Sequence, residues 1–397
     1  MKEGWEYKTL GEVCKIYNGN SINADYKKKH FLGATGGLPF IATKDVSPLG
    51  TIDYNNGVRI PNYEEYKVAP ANSVFICAEG GSAGKKFAYV EKDVCFGNKL
   101  FCITPKDKAI KGKFIYHFVQ SDNFRGQFFS LLTGLIGGVS AKKFQTIEIP
   151  VPSLSEQRSI VDYLDSAFAK IDAMKANAEK ALNEAKALFQ ASLKEMLEPK
   201  EGWEEKTLKE LGQTQTGTTP SKGDKDNYGD YIPFIRPSEI DYDGSGRIEY
   251  NSALKLSKKG ADNGRVFDAH SIYMVCIGAT IGKVGYGERS ISCNQQINIL
   301  TPNSSVNYKF AYYVMKNSDF QQKVIKEGTS SQATLPIINK GKWEKLSISY
   351  PPISEQQSIV ETLDSLKSKV DRLQENYNKI SQECDALKQA ILRQVFE

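Results

Sequence analysis

The sequence predicts an α+β protein built twice over: an α/β globule and a long helix, then the same globule and helix again, the two helices paired as a coiled coil. Three observations point there. Between Ser153 and Met196 no Pro or Gly interrupts the chain until Pro199, and apolar or small residues recur at Ile160, Leu164, Ala167, Ile171, Met174, Ala178, Ala181, Ala185 and Leu188. Steps alternating between three and four are a heptad seam, the mark of a helix buried along one stripe against another helix. The start of this helix then returns. Ser354-Glu355-Gln356-Gln357-Ser358-Ile359-Val360 repeats Ser155 to Val161, and Leu363-Asp364-Ser365 repeats Leu164-Asp165-Ser166. Finally, the opening Glu3-Gly4-Trp5-Glu6-Tyr7-Lys8-Thr9-Leu10-Gly11-Glu12 returns as Glu201 to Glu210 directly after the first helix. The boundaries that follow are a first globule over 1–152, a central helix over 153–198, a second globule over 199–352 and a C-terminal helix over 353–397.

At 1.5 Å per residue the central helix runs roughly 60 Å, too long to stand without a partner. The second seam supplies one through Ile359, Leu363, Leu366, Val370, Leu373, Tyr377, Ile380, Cys384, Leu387 and Ile391. The alanines of the first seam leave room for these bulkier side chains. Ser354 with Gln357 fits a capping box, and Glu156 and Glu355 place a carboxylate at the positive end of each helix. On the helix exteriors, Lys170, Lys175, Lys180 and Arg372 fall on solvated or partner-facing sides.

The globules align through islands. Leu38-Pro39-Phe40-Ile41 matches Ile232-Pro233-Phe234-Ile235, each before a polar turn, Thr43-Lys44-Asp45 or Arg236-Pro237-Ser238-Glu239. Strand-like Ser73 to Cys77 matches Ser271 to Val275. Both lead into Gly-rich turns, Gly80 to Lys85 and Gly278 to Lys283, and then into Gly97-Asn98-Lys99 and Cys293-Asn294-Gln295-Gln296. A helix pair around 114–129 and 308–326 closes each globule. Between the islands the halves diverge, so one fold carries two different surfaces.

Lys and Arg number 52 against 47 Asp and Glu, a net charge of +5, which permits an acidic partner without requiring one. No signal peptide or apolar run of membrane-spanning length is present, and seven scattered cysteines without CxxC pairs fit reduced thiols in a cytoplasm. His30, His117 and His270 have no Cys or carboxylate cluster about them, so no metal site is expected. The turns at Gly80 and Gly278 are one residue too short for a phosphate-binding loop and lack the Ser or Thr after the lysine; they read as strand-to-strand turns. Ser349-Tyr350-Pro351-Pro352-Ile353 only faintly resembles an aminomethyltransferase motif, and no strand–GxG–helix accompanies it. No catalytic set emerges.

The Gly-Trp-x-x-Lys-x-Leu openings, Pro-Phe-Ile strands, Gly-x-[Ser/Thr]-x-Gly-Lys turns and twice-occurring Pro-x-x-Ser-Glu-Gln-x-x-Ile-Val helix starts resemble the specificity (S, HsdS) subunit of type I restriction–modification systems, over the whole chain. The resemblance implies two target recognition domains, each reading one half of a split, asymmetric site on double-stranded DNA. The helices would pack antiparallel, giving a pseudo-twofold axis, fix the gap between half-sites, and dock two methylation (M) subunits, through which restriction (R) subunits join. It also implies that this chain is not an enzyme. S-adenosylmethionine, ATP and Mg would serve the partner chains, with no cofactor here. The stretch Gly328-Thr329-Ser330-Ser331-Gln332 fits a family pattern that Thr133 to Val139 lacks.

Phosphates favour Lys, Arg and backbone amides, and base edges favour Arg, Lys, Asn and Gln. Candidate DNA contacts are therefore Thr43, Lys44, Lys85, Lys86, Asn98, Lys99, Lys142 and Lys143 in the first domain. In the second they are Arg236, Ser238, Lys283, Asn294, Gln295, Gln296, Lys340 and Lys342. The unaligned loops Tyr26-Lys27-Lys28-Lys29-His30 and Lys222-Gly223-Asp224-Lys225 are where specificity can differ. Two other readings stay open: the specificity chain of a two-component type II enzyme cutting outside its site, and a coiled-coil scaffold that binds no DNA.

Overall fold

The computed structural model describes residues 4–106, 109–133, 137–241, 244–251, 253–329 and 335–397. Contacts divide the chain into two units, Met1–Glu179 with Asn376–Glu397, and Lys180–Glu375. Each unit therefore holds one globule and a portion of both long helices.

In unit one the strands are β1 (Glu6–Thr9), β2 (Cys14–Asn18), β3 (Leu38–Ile41), β4 (Arg59–Ile60), β5 (Val68–Ala69), β6 (Val74–Cys77), β7 (Phe87–Tyr89), β8 (Val94–Phe96), β9 (Leu100–Pro105) and β10 (Glu148–Val151). The helices are α1 (Leu10–Val13), α2 (Ala24–His30), α3 (Gly112–Phe118), α4 (Asp122–Ser130), α5 (Ala141–Phe144) and the start of α6 (Leu154–Met196). β2-β9-β6-β7 form an antiparallel sheet, and β4-β3-β8-β5 a mixed one in which β3 and β8 run parallel. β6 is apolar throughout because both its faces are covered. Val74 and Ile76 join the core beneath α3 and α4, while Phe75 and Cys77 point into the core shared with the mixed sheet, the period-two alternation of a strand.

Unit two repeats the plan. It contains β11 (Glu204–Thr207), β12 (Gly212–Thr216), β13 (Tyr228–Ile235), β14 (Leu254–Leu256), β15 (Ile272–Val275), β16 (Val284–Tyr286), β17 (Ser292–Cys293), β18 (Ile297–Pro302) and β19 (Ser347–Tyr350). Its helices are α7 (Leu208–Leu211), α8 (Lys258–Asp262), α9 (Tyr308–Lys316), α10 (Ser318–Thr329), α11 (Lys340–Trp343) and the start of α12 (Ile353–Phe396). The sheets are β12-β18-β15-β16 and β14-β13-β17. The repeated opening motif is now explained. Thr9 and Thr207 cap α1 and α7 in capping boxes closed by Glu12 and Glu210, and β1 and β11 pair with β10 and β19, the strands that feed the long helices.

The long helices pair antiparallel within each unit. In unit one Lys175 meets Asp385 at 3.3 Å and Lys388 meets Asp172 at 2.6 Å; in unit two Lys186 Nζ donates to Gln374 at 2.7 Å. The buried stripe differs from the expected seam. Leu164, Ile171, Ala178 and Ala185 face inward as expected, and Ile160 and Ala167 pack at the edge of the core, but the buried second row is Val161, Phe168, Leu182 and Phe189, and Met174, Ala181 and Leu188 lie outside it. Met174 and Leu188 are 57% and 60% exposed, and Leu387 on α12 is exposed too. Either row keeps heptad spacing. The one holding two phenylalanines and a leucine removes more apolar area from water, and it wins.

The helix starts also differ. Ser153 caps α6, its Oγ accepting from Glu156 N at 3.3 Å, while Trp5 Nε1 donates to Glu156 at 3.1 Å. In α12 Pro352 occupies the matching position and takes the first-turn amides of Glu355 and Gln356 on its carbonyl. Ser354 lies inside the helix, so the expected Ser354–Gln357 box does not form.

Two motif residues fasten each long helix to its globule. Gln157, fully buried, donates to Ala109 O and Pro152 O and accepts from Lys111 N, all at 2.9 Å. Gln356 does the same with Ser305 O, Pro351 O and Asn307 N. Two turns further, Asp165 accepts from Lys113 at 2.6 Å and His117 Nε2 at 2.8 Å; Asp364 accepts from Lys309 and from the hydroxyl of Tyr313, both at 2.6 Å.

His117 distinguishes the two joints. Burial holds its pKa below the ordinary value despite Asp165, and its Nδ1 has no partner. Burial raises the Asp165 carboxyl, but Lys113 and His117 outweigh that and hold it low. Both groups bind a proton less readily in the folded chain than in the unfolded one. The stability they contribute is complete above about pH 6.5, the ordinary imidazole value, and is lost as the pH falls. Burial and Asp364 push the Tyr313 hydroxyl up, so it does not titrate in this range. Acidification from about pH 7.5 to 5.5 across the imidazole value is therefore expected to weaken unit one more than unit two. Hydrogen exchange resolved by unit reads this, and His117→Tyr should remove most of unit one's loss.

Candidate nucleic-acid interface

In unit one three turns converge at the end of β3. Thr43–Asp45 forms a single 3-10 turn, closed by the buried Asp45, whose Oδ2 accepts from Ala42 N at 2.8 Å. Gly97 N donates to Ile41 O at 2.9 Å, bringing Asn98 and Lys99 alongside, and Asn18 Nδ2 holds Asn98 O at 2.9 Å. The Gly-rich segment is the reverse turn between β6 and β7. Gly84 there adopts φ +69°, and a Cβ would lie 2.6 Å from the Phe128 ring, so only glycine fits. From this turn Lys86 Nζ donates to Thr43 O at 3.1 Å. Val139 N bonds Ala78 O at 3.1 Å and brings in the segment leading to α5, which carries Lys142 and Lys143 and is capped by Ser140, whose Oγ accepts from Lys143 N. Lys44, Lys85, Lys99, Lys142 and Lys143 are all exposed, and none takes part in an ion pair among the described residues. The basic loop expected at Tyr26–His30 is a helix, α2, because Asn23 caps it and Tyr26 stacks on His30 at 4.3 Å.

Unit two has the same frame with different chemistry. Arg236 N donates to Glu239 Oε2 at 2.7 Å, as Ala42 does to Asp45, and Lys283 Nζ donates to Pro237 O at 3.4 Å, as Lys86 does to Thr43. Asn294 N bonds Ile235 O at 3.1 Å, matching Gly97, and Cys276 N bonds Gln296 O at 2.8 Å, matching the bond from Ala78 N to Lys99 O. Two expected pairings therefore shift by one residue. Lys283 corresponds to Lys86, with Lys85 an extra residue of unit one's turn. Asn98 and Lys99 correspond to Gln295 and Gln296.

The second domain's candidates are engaged by their own chain. Arg236 pairs with Glu239 at 2.9 Å, and the Ser238 hydroxyl donates to the same carboxylate at 2.6 Å. Burial raises Glu239, but these contacts outweigh it and hold the carboxyl low. Asn294 Nδ2 donates to Gln296 at 2.9 Å, and Gln295 accepts from Thr219. Lys340 pairs with Glu344 at 2.6 Å and Lys342 with Glu327 at 3.6 Å. Near the Lys222–Lys225 loop, Lys259 bridges Asp224 and Asp226. Unit one thus offers bare ammonium groups, whereas unit two offers amides, a hydroxyl and a guanidinium already hydrogen-bonded.

Sequence reasoning misses Asp45 and Glu239 as closing groups; the available signal is an acid four residues past each Pro-Phe-Ile strand. Of the Gly328–Gln332 stretch and its counterpart, Ser330–Gln332 and Gly134–Ile136 lie outside the described residues. Among the described residues no group of three or more His, Cys, Asp or Glu side chains is placed to hold a metal ion, and no helix is long and apolar enough to cross a membrane.

A repeated α/β globule carrying a turn cluster of Lys, Asn, Gln and Ser, each copy seated on paired long helices, defines a duplicated recognition protein. The family described as the type I restriction modification DNA specificity domain matches residues 2–184 and again 200–382, and the chain belongs to that family. It is 24% identical over 428 residues to the type I restriction enzyme StySPI specificity subunit of Salmonella potsdam, covering 100% of this chain and 89% of that one. A chain solved in work on complex assembly and conformational transition of the type I restriction–modification system matches with a TM-score of 0.74 at 20% identity, over 100% of this chain and 98% of that one. The HsdS subunit from Thermoanaerobacter tengcongensis matches at 0.58 and 20% identity, over 100% and 97%. At these identities the solved structures speak to the fold alone.

Proposed function

We propose that this chain is the sequence-specific DNA-recognition subunit of a type I restriction–modification complex. Each globule reads one half of a bipartite, asymmetric site on double-stranded DNA. The paired helices set the spacer and dock two methyltransferase subunits, through which restriction subunits join. Methylation and cleavage belong to those partner chains, with S-adenosylmethionine, ATP and Mg bound there, in the cytoplasm. The observation that carries this is the duplicated turn cluster: one backbone frame, with Lys44, Asn98 and Lys99 in one copy and Ser238, Gln295 and Gln296 at the same places in the other. Identical frames with different side chains suit two different half-sites.

Single-molecule sequencing of host DNA, with the gene intact and deleted, tests the proposal. A gapped two-part methyladenine motif that vanishes on deletion is the expected result. An unchanged methylome, together with DNA binding insensitive to salt, would favour a protein scaffold instead.

A further inference from the structure

We propose that Lys86 and Lys283 are positioning residues for base reading. Each ammonium holds the carbonyl of a reading turn, Thr43–Asp45 or Pro237–Glu239, whose exposed middle side chain, Lys44 or Ser238, contacts a base edge. This rests on the DNA-specificity reading above.

The same contact occurs in both copies although the turns that supply it differ in length. Unit one carries the additional Lys85, yet it is Lys86, not Lys85, that reaches the Thr43 carbonyl. Each reading turn is held from two sides, by its closing carboxylate on the amide of the residue just before it, Ala42 or Arg236, and by a lysine from the neighbouring turn on its first residue's carbonyl, Thr43 or Pro237. Such a turn is ordered before it meets a ligand, and binding then costs less ordering entropy. Lys86 and Lys283 are half-buried, while Lys44 and Ser238 at the middle of the turns are exposed.

The middle residues differ in what they can recognise. Lys44 has three N–H donors and no acceptor, which suits the O6/N7 acceptor pair of guanine. Ser238 commits its hydroxyl proton to Glu239, leaving its lone pairs to accept from an amino group, adenine N6 or cytosine N4.

The test uses the full chain in complex with its methyltransferase partners, binding a DNA library randomised in each half-site, across a range of salt concentrations. Lys44→Ser identifies the half-site read by unit one. Lys86→Met is expected to relax discrimination there about tenfold, with the other half-site and the salt slope unchanged, and Lys86→Arg to restore it. Lys283→Met should do the same to the second half-site only. In each variant the untouched half-site shows that the chain is folded. If Lys86→Met instead lowers the salt slope by about one and leaves base preference intact, the lysine is a phosphate contact and the proposal is overturned. Unchanged preference and slope, or relaxation of both half-sites at once, overturns it equally. A wild-type complex with no half-site preference would remove the DNA-specificity reading itself.

Discussion

Leucine in place of Gln356 is expected to destabilise unit two by about 3 kcal/mol, because its amide satisfies three backbone groups at once. The side chain is fully buried, donating to Ser305 O at 2.9 Å and Pro351 O at 2.8 Å and accepting from Asn307 N at 2.8 Å. Leucine is close in volume, so no cavity opens. The loss is polar: two carbonyls and an amide lose their partner at a joint that is partly to fully buried, each costing up to ~1–3 kcal/mol before relaxation. For a unit of this size that is a fall of roughly 6–12 °C in Tm. Gln157→Leu should do the same in unit one, and the two effects should add, since the residues share no partner. Calorimetry of the single and double variants checks this, and an unchanged Tm for Gln356→Leu would refute the clamp.

The second large effect concerns charge. Changing Lys85, Lys99 and Lys142 together to alanine is expected to flatten the log–log dependence of DNA affinity on salt by ~2.7, at about 0.9 per phosphate contact. Removing Lys340 and Lys342 from unit two should change the slope by well under 1.8, the two-contact value. Those lysines already face Glu344 and Glu327, whereas the three in unit one pair with no carboxylate among the described residues. Equal slopes per lysine in the two units would contradict this asymmetry.

Much of the architecture is legible because the chain states it twice. The repeated Lys-Thr-Leu opening and Ser-Glu-Gln helix start carry their own physical reasons, a capping box and a buried glutamine clamp, both local enough to survive as motifs. What stays hidden depends on tertiary choice. Ile160 and Val161 are both apolar, so two heptad rows compete, and only the burial of Phe168, Leu182 and Phe189 decides between them. Lys85 and Lys86 are identical side chains. Nothing local says which belongs opposite Lys283, and the bond from Cys77 N to Lys86 O settles it. Within the interface, residue types alone cannot separate Arg236, tied to a buried carboxylate, from Lys44, which is not.

The division of the long helices has a consequence for how the protein is made. Unit two is one continuous stretch, Lys180–Glu375, and can close as soon as it has left the ribosome. Unit one cannot. Its core includes Cys384, Leu392, Val395 and Phe396, and the Phe396 ring lies 5.4 Å from Phe114 and 5.6 Å from Phe118. The domain synthesised first is therefore finished last, and its nascent form waits with an open aromatic seat while nearly two hundred later residues are translated. Such an exposed apolar site is a place for a chaperone to hold, and a message cut short after Glu375 yields a sound second domain attached to an aggregation-prone first one.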